Sequence, residues 1–157
     1  MDKTNNIILD SEKLFAIKIN NYLNKNNANW IIHKSEFKYS HLDFLLINLN
    51  NLYSVYIEYK ERCYAVGYTS YETYFISLKK FYAIKKHYHN CYIIFDFTHS
   101  TKNEDEFYYI KYDKELFDTF EKDLDKSRLL IPSNLCKTNF DNMTTELIDM
   151  IPSRNLL

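Results

Sequence analysis

Asp43, Glu58 and Lys60 are the residues of this 157-residue chain whose types and spacing could do chemistry. Glu58 and Lys60 sit in the run YSVYIEYK, which is rich in β-forming residues. Side chains on a strand alternate, so Tyr56, Glu58 and Lys60 face one way while Val55, Ile57 and Tyr59 face the other. Asp43 opens the preceding apolar run DFLLINL, and the Asn-rich stretch from Asn48 to Asn51 reads as the turn of a hairpin. Folding that hairpin brings Asp43 to the end of the sheet that carries Glu58 and Lys60. Two carboxylates and one ammonium then converge. Such a set suits a hard divalent cation, Mg²⁺ or Mn²⁺, which prefers oxygen ligands and takes one or two carboxylates beside a substrate phosphate.

The plain alternative is a structural ion pair, since Glu-x-Lys is common on strands and Asp is an ordinary turn residue. The neighbourhood favours the metal site. Both runs read as central strands, where a charged group is costly without a partner or a ligand.

An Asp followed, after a hairpin, by Glu-x-Lys, with a helix before it and a strand–helix unit after it, resembles the PD-(D/E)XK nuclease superfamily. The resemblance spans roughly Asp10 to Leu124 and rests on element order plus three residues. It departs from the common pattern in having Leu42 where a Pro often stands, and the chain contains no Gln, which excludes the branch that uses one. The resemblance implies an α/β (α+β) restriction-endonuclease-like core, in which helices flank a mixed sheet of four to five strands in the order α-β-β-β-α-β-β-α. Asp43, Glu58 and the backbone carbonyl of Tyr59 would then hold one or two Mg²⁺ or Mn²⁺ ions, and Lys60 would orient the attacking water. Glu12, on the first helix, would match an acidic residue that reaches the metal in several branches; more simply, it complements the helix dipole. The implied activity is hydrolysis of phosphodiester bonds, with DNA ahead of RNA as substrate and room for a homodimer. Two other readings stand beside it. One is a silent nuclease-fold binding module in a replication, transcription or anti-defence complex. The other is a cap-snatching type of RNA endonuclease, for which His41, two residues before Asp43, is a poor match and reads as a loop histidine.

The elements that must position these residues follow from apolar periodicity. A helix is expected from Ser11 to Asn24, capped by Asp10, with Phe15, Ile19, Tyr22 and Leu23 inward. Asn29 to His33 is expected as a short strand, or as a helix-to-strand connection whose Trp30 seats in the core, and His33 and Glu36 as surface residues. After Lys60 the chain turns near its only Gly, Gly67. Thr69 and Glu72 stand at capping-box spacing, so one helix is expected to His89, burying Tyr71, Tyr74, Phe75, Leu78 and Tyr82. Its second half is crowded with Lys79, Lys80, Lys85, Lys86, His87 and His89; Lys80 and Lys79 are the candidates for phosphate contact beyond a solvated face. CYIIFDF, Cys91 to Phe97, reads as a strand buried on both faces and parallel to the Glu58 strand. Phe107 to Tyr112 is expected as an outer strand, and Lys114 to Leu124 as a helix with Leu116, Phe117, Phe120 and Leu124 inward.

Bulk properties narrow the setting. With 46% hydrophobic and 17% aromatic residues the chain can bury a core, which argues against disorder. One Gly, two Pro and abundant Asn, Lys, Ile and Tyr resemble the codon bias of an AT-rich genome, viral or parasitic. A net charge of −1 gives no global basic field, so any nucleic-acid contact must come from a local basic face or a metal. Three Cys (Cys63, Cys91, Cys136) at wide spacing show no zinc pattern and read as free thiols. The absence of a long apolar run and of a secretory leader predicts an intracellular, soluble protein without a membrane partner. Residues 1–126 are expected to form the nuclease-like domain. Residues 127–157, with an apolar Leu129 to Ile131, a break at Pro132 and a short helix over Asp141 to Met150, would pack back on it or bind a partner.

Overall fold

The computed structural model describes residues 11–25, 30–34, 43–49, 54–62, 72–87, 90–97, 106–138 and 140–149. Asp10, Glu36, His41, the hairpin turn beyond Leu49, Cys63, Gly67, Thr69, Tyr71 and His89 lie outside them.

Helix α1 (Ser11–Lys25) forms where the apolar stripe predicts it, and Phe15, Ile19 and Leu23 are buried. Removing each such side chain from water contributes roughly 1.5–3 kcal/mol. Strands β1 (Trp30–Lys34), β2 (Phe44–Asn48) and β3 (Ser54–Arg62) form an antiparallel meander. β2 alternates between buried and half-buried positions, as a strand packed hard on one face does.

The stretch expected as one helix from Thr69 divides in two. Thr73–Ser77 is strand β4, and helix α2 runs only over Leu78–His87. Tyr74 and Phe75 therefore belong to a strand. Two local causes are visible. Tyr-Phe-Ile is a β-forming triplet, and the Ser77 hydroxyl accepts the Lys80 N–H at 3.1 Å, which caps the helix at that point.

Strand β5 (Cys91–Phe97) has the predicted ends, is buried at every position, and pairs parallel with β3, Tyr59 against Ile94 and Lys60 against Phe95. β6 (Glu106–Lys111) follows antiparallel. It is not the outer strand, because the two-residue strand β9 (Lys137–Thr138) pairs on its far side. The large sheet thus has six strands in the order β1-β2-β3-β5-β6-β9, one more than expected.

Helix α3 is confined to Lys114–Asp118. Asp113 caps its start, and the Thr119 hydroxyl bonds back to the Leu116 carbonyl at its end. Phe117 and Phe120 are buried as predicted, but Leu124 is 73% exposed in the turn that leads from β7 (Lys122–Asp123) to β8 (Arg128–Pro132). Ser127, at φ 52°, closes that turn. A second, three-stranded sheet, β4-β8-β7, results, with Tyr74 against Ile131. After a short 3₁₀ turn at Ser133–Leu135, β9 leads to helix α4 (Phe140–Asp149), whose Met143 is fully buried.

The architecture is mixed α/β, with a large mixed sheet flanked by helices. Two cores lie on its two faces. α1 and Met143 of α4 pack on the side of Ile57, Tyr59, Tyr92 and Ile94; α2, α3 and the small sheet pack on the side of Cys91, Ile93, Phe95 and Phe97. Among the described residues, no helix is long and apolar enough to cross a membrane.

Candidate metal and phosphate site

Strand register makes the site. Phe44 pairs with Ile57, so continuing one residue back along β2 sets Asp43 against Glu58. Asp43 is pinned there by backbone contacts. Its N–H donates to the Ile57 carbonyl at 3.2 Å, and its Oδ2 accepts the Tyr59 N–H at 2.8 Å. The carboxylate replaces the next ladder bond at the point where β2 begins.

Glu58 is 0% exposed. Alternation sends it to the face opposite Ile57 and Tyr59, where Lys60 Nζ lies 3.3 Å from its Oε2. A second ammonium, that of Lys80, lies 3.3 Å from the same oxygen. Lys80 stands in the first turn of α2, so the Ser77 cap that starts the helix also aims this side chain. No donor at hydrogen-bonding geometry reaches either Glu58 oxygen among the described residues.

Burial is the main cause that pushes the Glu58 carboxyl up, to about 8. Asp43 adds to it as a like charge and as an acceptor for a protonated Glu58, while Lys60 and Lys80 pull the other way without offsetting it. Glu58 therefore keeps its proton at neutral pH when no cation is present. A divalent cation would displace that proton and satisfy the buried carboxylate, so the donor set fits such an ion.

Behind this face, the Tyr59 hydroxyl donates to Asp96 Oδ2 at 2.5 Å, and its ring packs on Phe15 and Phe44 at 5.0 and 6.3 Å. Tyr59 thus holds the β3 backbone between Glu58 and Lys60 from both its amide and its side chain. Asp96 carried a legible signal as the one charged residue within CYIIFDF.

The structure brings Asp43, Glu58, Lys60 and Lys80 together, with the Tyr59 backbone between them. Lys79 is exposed on α2 beside them. Glu12 is half-buried in the first turn of α1, the helix that covers the opposite face. Among the described residues no three His, Cys, Asp or Glu side chains assemble into a metal-holding group, so Glu12 does not complete a third ligand. Neither described cysteine belongs to the site. Cys91 and Cys136 are free thiols whose burial pushes them up, Cys136 to about 12.

Compared with family models, with curated proteins and with solved structures, the chain matches none.

Proposed function

We propose that the chain is a metal-dependent nuclease of the restriction-endonuclease-like class, hydrolysing phosphodiester bonds in nucleic acid, DNA ahead of RNA. The observation that carries this reading is the meeting of Asp43 and Glu58 through strand register, with Lys60 at 3.3 Å and Glu58 fully buried. The order α1, β1-β2-β3, β4, α2, β5, with β3 and β5 parallel and β4 set apart in the small sheet, supports the same class.

Asp43 and Glu58, with the Tyr59 carbonyl, would hold Mg²⁺ or Mn²⁺. When bound there, the cation supplies positive charge that polarises the scissile phosphate and makes a nearby water more acidic. The chain's own groups do the rest. Lys60, partly exposed, orients water and places positive charge where negative charge develops. Lys80, 3.3 Å from Glu58 Oε2, would offer positive charge to a phosphate oxygen beside the site. Tyr59, held by Asp96, keeps the ligand-bearing backbone in place.

The two ammonium groups on Glu58 Oε2 favour a second reading, a silent module in which lysines stand where a cation would. One experiment separates the two. Duplex, single-stranded and four-way-junction DNA and single-stranded RNA are incubated with Mg²⁺ or EDTA and wild type, Glu58→Ala or Lys60→Ala. Cleavage that needs metal and vanishes in both variants is expected. A folded wild type that cuts none of the four substrates would sink the nuclease reading.

A further inference from the structure

The same face of β3 carries a second concentration of positive charge. Arg62 follows Lys60 by two residues, so both side chains leave the strand on one side, about 7 Å apart. The Arg62 guanidinium lies 4.8 Å from the centroid of the Phe75 ring and 5.7 Å from that of Phe95, the strand neighbour of Lys60. Arg128, from β8, stacks on the same Phe75 ring at 4.1 Å. The chain has three Arg against 17 Lys, and two of the three meet on one phenyl ring.

The pairing carries a cost. A cation over a ring is stabilised by about 0.5–2 kcal/mol, but two guanidinium groups brought to one ring repel each other. Asp123, 3.3 Å from Arg128, offsets part of that repulsion. Orientation is fixed as well, since Arg62 donates through Nη2 to the Phe75 carbonyl at 2.8 Å and through Nη1 to the Glu61 carbonyl at 3.1 Å. Each terminal nitrogen of a guanidinium carries two N–H groups, of which these bonds use one apiece, and a planar guanidinium matches phosphate oxygens in a way that an ammonium does not. The spacing from Lys60 is of the order of one nucleotide step along a strand.

We propose that Arg62 and Arg128, stacked on Phe75, clamp a backbone phosphate adjacent to the one held at Asp43, Glu58 and Lys60. The ligand is a phosphodiester backbone, of DNA or RNA. Its identity rests on the nuclease reading, whereas the clamp assigns binding to residues outside the metal site.

The test is an anisotropy titration of labelled DNA and RNA oligonucleotides of equal length across a salt series, with Ca²⁺ replacing Mg²⁺ to prevent turnover. The full chain is compared with Arg62→Gln, Arg128→Gln and the corresponding Lys variants. Each Gln variant is expected to weaken binding roughly tenfold and to reduce the slope of log affinity against log salt by about 1. The Lys variants should keep the slope and still lose affinity. In cleavage with Mg²⁺, KM rises while kcat holds. Folded Gln variants with wild-type slope and affinity would overturn the clamp. If a Gln variant does not fold, wild-type affinity in its Lys counterpart overturns it equally. Arginine-dependent binding without cleavage keeps the clamp and removes the nuclease reading; cleavage with an arginine-independent slope removes the clamp alone. Whichever oligonucleotide shows the larger arginine effect identifies the backbone, and no binding to either ends the proposal.

Discussion

Glu58 and Glu146 each stand just over 3 Å from a lysine ammonium, on opposite sides of the large sheet. Glu146, on α4, divides its partners between its oxygens. Oε2 accepts the Tyr109 hydroxyl, and Oε1 faces Lys137 Nζ at 3.2 Å. Its side chain is 36% exposed, and water reaches it through a cavity of about 520 Å³ lined by Tyr109, Lys137, Thr138, Asn142 and Thr145. Glu58 has two ammonium groups on one oxygen, a second carboxylate opposite, and no exposure. The first arrangement satisfies its own charges and ties α4 and β9 to β6. The second buries a carboxyl beside another carboxylate, so that it holds its proton up to about 8, an arrangement that the proposed metal site would use. Ion-pair distance alone does not distinguish them; burial and the distribution of partners do.

Activity gives the largest expected contrast. Glu58→Ala and Lys60→Ala are each expected to lower metal-dependent cleavage on the order of 10³-fold, because each removes positive charge, or its anchor, at the scissile phosphate. Glu146→Gln should cleave like wild type. Equal losses in Glu58→Ala and Glu146→Gln would show that both act only through the fold, and the comparison would break.

Stability against pH gives the next largest. The Glu58 carboxyl moves from 4.5 in the free chain to about 8 when folded. Between those values the unfolded chain has lost the proton and the folded one keeps it, so the unfolding free energy falls as pH rises, by up to about 1.4 kcal/mol per pH unit. Below 4.5 the group contributes nothing, and above about 8 its cost is complete. Urea denaturation without metal should therefore show stability declining across this window in wild type and a flatter profile in Glu58→Gln, which mimics the neutral carboxyl. Glu146→Gln should keep the wild-type slope. Parallel curves for wild type and Glu58→Gln would mean that the two lysines keep Glu58 ionised.

These contrasts were unequally legible in the sequence. The facing of Asp43 and Glu58 follows from alternation and hairpin register, both local properties, and CYIIFDF is apolar enough to fix β5 from end to end. The arrival of Lys80 was not legible as a contact with Glu58, because it depends on where α2 starts. Tyr74, Phe75 and Leu78 satisfy a helical stripe as well as a strand, and the decision rests on β8, which pairs Ile131 with Tyr74 from far along the chain. Arg128 joins Phe75 through that same long-range pairing, in a region whose own pattern is weak. The Lys114 helix stops early for a related reason. Thr119 and the β7–β8 turn serve a small sheet whose existence only the tertiary pairing reveals.

Ser77 offers a smaller but sharper cut, because it positions one member of the strained cluster without touching Glu58. Its hydroxyl accepts the Lys80 N–H, so Ser77→Ala should cost about 1 kcal/mol in denaturation and loosen the first turn of α2. Cleavage should fall more than that stability loss explains, by several-fold, since Lys80 is carried on that turn. Ser77→Asp keeps a capping oxygen and should restore both. A stability loss with unchanged cleavage would reduce Lys80 to a structural partner of Glu58.

The smallest effect belongs to the satisfied cluster. Lys137 is 67% exposed and its contact with Glu146 is open to solvent, so Lys137→Ala should change stability by no more than about 0.5 kcal/mol. Tyr109→Phe should cost more, about 1 kcal/mol, because its hydroxyl, whose pKa burial and the Glu146 carboxylate hold up, donates a hydrogen bond to that carboxylate. Both variants should cleave normally, and a double-mutant cycle between them should give a coupling near zero if each serves its own oxygen of Glu146. A coupling above 1 kcal/mol would make this cluster a network like that of Glu58, and partner distribution would then no longer separate the structural carboxylate from the proposed metal ligand.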